Sequence, residues 1–184
     1  EALLKAVEER SSANLGLIKM SVELIKWYHG PVKRKSGEPF YLHPVAVAHI
    51  VLDYNQEEAT ILGALLHDTV EDTSMLLQYL GTTFGAETAN IVDLVTHLQS
   101  IPNSIYKIRL TAEENLNMLE KTGTTKGLYV KIADRLHNMR TIKAKRQESQ
   151  IRTAKETLIF FVPLAERIGL KDAAKELMQL CAEV

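Results

Sequence analysis

Cysteine is nearly missing from this chain. Cys181 stands alone, so no disulfide can form within it, which fits a reducing cytoplasm. No apolar run is long enough to cross a bilayer and no secretory leader heads the chain, so a membrane partner is not expected. Sustained apolar–polar alternation is absent, as are Asn-Gly and Asp-Gly pairs, the strongest signs of strands and hairpins. Neither sign of charge prevails: 22 basic and 23 acidic residues leave a net charge of -1. A chain without a basic field has no general pull on nucleic acid. It begins at Glu1 rather than Met, as a sequence trimmed at its N-terminus would.

What is present reads as helix. The 184 residues, 46% hydrophobic and 24% charged, suffice for one domain with a real core. Apolar residues recur at helical spacing, and we expect an all-α, single-domain helical bundle over 1–184. Opening helices end near Tyr28, before Gly30 and Pro31. Residues 31–39 form a loop carrying Lys33-Arg34-Lys35. Pro44 suits the first position of the next helix. Asn55 with Glu58, and Thr111 with Glu114, have the spacing of capping boxes. Thr73 or Ser74 caps a short helix ending near Gly85; another spans about 87–98. Residues 101–104 break the chain and 123–127 link it. A helix over about 128–146 precedes a long one kinked by Pro163; Gly169 ends that one, and a last helix reaches about Glu183.

One stretch resists explanation by packing. Ala59, Ile61, Leu62, Ala64, Leu65 and Leu66 run into His67-Asp68-Thr69-Val70-Glu71-Asp72. On a continuous helix His67, Asp68, Glu71 and Asp72 share one polar face. Buried charges are costly unless paired or bound to metal. His43 and Asp134 are the candidates to complete a set of two imidazoles and two carboxylates, which suits manganese, iron, cobalt or zinc and metal-assisted hydrolysis. Asp134, Asn138 and Thr141 fall on one helix face.

Four ordered motifs carry a resemblance. They are Arg34-Lys35-Ser36-Gly37-Glu38-Pro39, His43-Pro44, His67-Asp68-Thr69-Val70-Glu71-Asp72-Thr73, and Ala133-Asp134-Arg135-Leu136-His137-Asn138-Met139-Arg140-Thr141. Together they resemble the hydrolase domain of the RelA/SpoT alarmone enzymes, within the HD phosphohydrolase superfamily. The resemblance reaches Pro163-Leu164-Ala165-Glu166-Arg167-Ile168-Gly169. It implies a bundle with a metal site between helices, and Mn²⁺-dependent 3′-pyrophosphohydrolysis of the guanosine nucleotides ppGpp and pppGpp. It implies His43, His67, Asp68 and Asp134 as metal ligands, one ion per site. Glu71 and Asp72 become the acids beside the attacking water. Arg34, Lys35 and Ser36 contact the guanine end, and Asn138 and Thr141 line the nucleotide pocket. His97 stands where the family often has Lys, and residues 142–147 depart from its commoner forms. The family's synthetase and regulatory domains are not within these 184 residues, as in a stand-alone hydrolase or an excised part.

Blander readings stand beside these. His29, His49, His97 and His137 read as structural or surface residues, and Lys143-Ala144-Lys145-Arg146 as a solvated face. Two other functions fit the motifs: a nucleotide phosphatase acting on another 2′- or 3′-phosphate, and a non-catalytic regulator that binds a nucleotide. The full set of candidate ligands weighs against the second.

Overall fold

The computed structural model describes residues 1–96, 98–100, 107–122 and 124–184. In chain order its helices are α1 (Ala2–Arg10), α2 (Leu15–His29), α3 (Leu42–Val51), α4 (Glu58–Leu66), α5 (Thr69–Asp72), α6 (Leu77–Phe84) and α7 (Ala86–Val95). A two-stranded antiparallel ribbon follows, β1 (Leu98–Ser100) and β2 (Lys107–Arg109), with Leu98 opposite Arg109. Then come α8 (Ala112–Thr122), α9 (Thr125–Arg140), a 3₁₀ turn (Ile142–Ala144), α10 (Gln147–Glu156), a π-helical turn (Thr157–Phe161), α11 (Val162–Arg167) and α12 (Lys171–Ala182). Helices carry the architecture, as expected; the ribbon is the addition. The expected break at 101–104, His97, and Gly123 of the expected linker lie outside the described residues.

α4 is the axis. Every residue from Thr60 to Leu66 is buried, and a helix apolar on all sides belongs inside a core. α2, α3, α7 and α9 surround it. Gly63 lets α7 come close: a Cβ there would lie 2.6 Å from Ile91 Cγ2.

Several local expectations are revised. The helix through His67 is not continuous. The His67 ring donates from Nδ1 to Ala64 O at 2.7 Å, and Thr69 Oγ1 donates to Leu66 O at 2.6 Å. Side chains thus take the carbonyls of the last α4 turn, which a helix end leaves unsatisfied. His67 and Asp68 form the junction between α4 and α5. Asn55 does not cap α4; it accepts from Glu57 N two residues on, while Glu58 Oε2 accepts from Asn14 N at the start of α2. Thr73 accepts from Met75 N, and α6 begins later, at Leu77. Pro44 is the third helical residue, still among the N–H groups that lack a helical acceptor. Residues 125–127, expected as linker, already belong to α9, and that helix ends at Arg140. Pro163 does not kink one long helix. It sits in the first turn of a new one, after the π turn has absorbed the mismatch. The capping box at Thr111 is real: Glu114 N donates to Thr111 Oγ1, and Thr111 N donates to Glu114 Oε2.

Candidate metal centre

Three parts of the core deliver four groups to one point. α3 brings His43, the α4–α5 junction brings His67 and Asp68, and α9 brings Asp134. One donor atom each from His43, His67 and Asp134 lies within 4.8 Å of the others. His43 Nε2 is 3.0 Å from Asp134 Oδ1 and 3.6 Å from Asp68 Oδ2. His67 Nε2 is 3.0 Å from Asp68 Oδ1 and 3.8 Å from Asp134 Oδ1. Both imidazoles are buried; both carboxylates are partly open.

The proton positions follow from the bonds on the far side of each ring. His67 Nδ1 faces a carbonyl, so it carries the hydrogen. His43 Nδ1 lies 2.8 Å from His137 Nδ1, and Arg34 Nη1 lies 3.1 Å from that same His137 nitrogen. A guanidinium only donates; His137 Nδ1 is therefore the acceptor and His43 Nδ1 the donor. Each candidate ligand is left with its Nε2 lone pair aimed at the carboxylates, the tautomer that outer hydrogen bonds select at metal sites. His67 Nε2 is buried and makes no hydrogen bond of proper geometry. That orphaned atom, between two carboxylates, is what a cation would satisfy.

The electrostatics agree. Burial alone would lower the His67 pKa; Asp68 and Asp134 outweigh it and hold it well above the ordinary value. Burial would raise Asp134, but His43 and His67 hold it well below the carboxylate range. Asp68 is likewise lowered, His67 overcoming its burial. The cluster binds positive charge, protons or metal.

Glu71 and Asp72 lie one turn beyond, and α5 separates their surroundings. Glu71 is half-buried and receives Arg109 Nη2 at 2.6 Å and Thr96 Oγ1 at 3.3 Å. Asp72 is exposed, yet crowding by the protein, then the negative charges of Asp68 and Glu71, raise its carboxyl to about 6.

The basic loop is folded over this centre. Arg34 N donates to Glu38 O and Gly37 N to Arg34 O, with Gly37 at φ 90, a turn that favours glycine. Arg34 Nη2 donates to Asn138 Oδ1 at 2.7 Å, and Asn138 Nδ2 donates to Asp134 Oδ1 at 2.7 Å. Lys35, Ser36 and Thr141 line a neighbouring cavity of about 300 Å³ together with Arg34. All the expected site residues thus fall on one side of α9, spread over the centre and this cavity.

Two residues were misread. His137, expected as structural or surface, supports His43. Its pKa is pushed down to about 4 by burial, then by His43 and Arg34, so it stays a neutral acceptor. Its place three residues after Asp134 on one helix was the available signal. Lys145, expected on a solvated face, is half-buried in the cavity wall. Lys143 does keep to the surface, paired with Glu183.

Comparison with known proteins gives a consistent picture. The family profile described as an HD domain matches residues 21–171. A protein named GTP pyrophosphokinase rsh, from Brucella ovis, is 41% identical over 154 residues, 83% of this chain and 20% of that protein. A probable guanosine-3′,5′-bis(diphosphate) 3′-pyrophosphohydrolase from Synechocystis is 42% identical over 142 residues, 77% of this chain and 19% of that one. The chain spans about a fifth of the length of these relatives. A metazoan orthologue of SpoT, described as hydrolysing ppGpp, shares the fold: TM-score 0.65, 21% identity, 91% of this chain and 94% of the other covered.

Proposed function

We propose a function from one premise: the chain belongs to the HD domain family, in its RelA/SpoT branch. The function is hydrolysis of the 3′-pyrophosphate of ppGpp and pppGpp to GDP or GTP and pyrophosphate, damping the stringent response. Residues 1–184 act as one hydrolase domain in the cytoplasm. One observation supports this above the rest: two buried histidines whose Nδ1 atoms are engaged elsewhere turn both Nε2 atoms onto two carboxylates.

His43, His67, Asp68 and Asp134 would hold one divalent cation, Mn²⁺ in this reading. When bound, such an ion supplies a Lewis acid that eases deprotonation of water and neutralises phosphate charge. The chain's own residues do the rest. Asp72, open to solvent and titrating near neutrality, takes the proton of the attacking water. Glu71, anchored by Arg109 and Thr96, orients that water. Arg34 and Lys35 meet the anionic nucleotide, with Ser36, Asn138 and Thr141 completing its contacts. His137 keeps His43 in the tautomer that leaves Nε2 free.

Product analysis tests the reading. The purified chain is incubated with ppGpp and Mn²⁺. GDP with pyrophosphate is expected. Orthophosphate would place the chain among phosphatases acting on other 2′- or 3′-phosphorylated nucleotides. Binding without any product would make it a regulatory module.

A further inference from the structure

The cavity beside the metal centre holds a cation without a partner. Its wall includes Lys145, Arg34, Lys35, Lys33 and no acid. Among the described residues, no hydrogen bond or ion pair engages the Lys145 ammonium. Its backbone is pinned: Lys145 N donates to Ile142 O, Gln150 Nε2 donates to Lys145 O, and Ile142 is buried in the core. The side chain is therefore held at the wall by a fixed turn. Burial and the neighbouring charges of Arg135 and Arg34 lower its pKa, so a group that brings acceptor atoms would relieve the site.

The shape says what kind of group. Val32, Phe40 and Ala144 give the cavity apolar walls, which a bare phosphate does not need and a planar base does. Arg34 lines the cavity and also bonds His137 and Asn138 beside the metal centre. A nucleotide with its phosphates at that centre would lay its base in the cavity.

We propose that Lys145 sets base selectivity, its ammonium donating to the O6 and N7 acceptors of a 6-oxopurine. This rests on the nucleotide-hydrolase reading above and deepens it. Lysine offers donors only. Guanine presents two acceptors on that edge, whereas adenine replaces O6 with an amino donor. The cavity thus favours guanine and hypoxanthine nucleotides over adenine nucleotides.

The test is equilibrium binding of GDP, IDP and ADP to the intact chain and to Lys145→Met and Lys145→Arg, which leaves hydrolysis out of the readout. The wild type is expected to prefer GDP and IDP to ADP. Lys145→Met, which keeps the apolar stem, should weaken GDP and IDP about 10-fold and ADP by less than about twofold. Lys145→Arg should restore most of the preference. Equal weakening of all three would place the ammonium on phosphate and overturn the inference; so would no change, or a wild type without preference. A thermal melt shows whether each variant is folded, and the arginine variant carries the test if the methionine one is not. Because binding and turnover are measured apart, a base preference without ppGpp hydrolysis would sink the proposed function alone. Hydrolysis with an unaltered GDP-to-ADP ratio would sink this inference alone.

Discussion

The two halves of the site are built on opposite plans. On the inner side, His43, His67, Asp68 and Asp134 come from α3, the α4–α5 junction and α9, and each ring has its outer nitrogen engaged. On the outer side, Arg34, Lys35, Ser36 and Lys145 come from turns, and cations crowd one cavity with no acid in its wall. The inner half balances its own charges and so can wait, folded, for an ion. The outer half is unbalanced and needs a ligand to balance it. Chemistry is placed where the backbone is held by the core; recognition is placed where turns can vary.

Breaking the inner half should have the largest effect. Asp134→Ala removes the acceptor facing both Nε2 atoms and strands two buried imidazoles. We expect loss of bound metal by elemental analysis and turnover below detection; retained metal would remove Asp134 from the ligand set.

The acids between the halves come next. In Glu71→Gln and Asp72→Asn, bound metal should persist while kcat falls by about 10²–10⁴-fold, the usual contribution of positioned acid–base groups. Loss of metal would put one of them among the ligands. Asp72 also gives a pH signature. Its carboxyl is raised from 3.8 to about 6, so the ionised base is lost as pH falls through about 6, and kcat/KM should fall with it. The same shift acts on stability with the opposite sense. The folded state holds this proton more tightly, so stability is highest at low pH and is lost as pH rises from 3.8 to about 6. Asp72→Asn should therefore melt higher than wild type at pH 7, without metal, while being nearly inactive.

His137→Ala sharpens the comparison, since it supports the inner half from the seam. Metal affinity should fall about 10–100-fold, as when an outer partner of a ligating histidine is removed. Unchanged affinity would show that His43 keeps its tautomer unaided. Smallest is Arg34→Ala in the outer half: KM should rise about 10-fold, in line with a lost charged hydrogen bond, and metal content should not change. If metal leaves with Arg34, the two halves are one structure, and the contrast drawn here fails.

Some of this was legible in the residues alone. Thr111 and Glu114 meet their own neighbours, so their spacing sufficed. Asn55 and Glu58 have the same spacing and do something else, because Glu58 finds Asn14 from another helix. His67-Asp68-Glu71-Asp72 read as one helical face, but Ala64 and Leu66 carbonyls accept from side chains and the helix stops. Lys145 gave no signal at all: a lysine in a basic run looks solvated until a loop over a hundred residues earlier closes over it.

Sequence alone determined the helical class, the buried character of α4, and which residue types could hold a metal, since hydropathy period and donor chemistry are local properties. Tertiary structure decided which histidine nitrogens are free, that His137 serves His43, and that Arg34 reaches Asn138 across 104 positions. Those outcomes depend on distances between segments that share no local signal, and only the packing of α3, α4 and α9 around one core sets those distances.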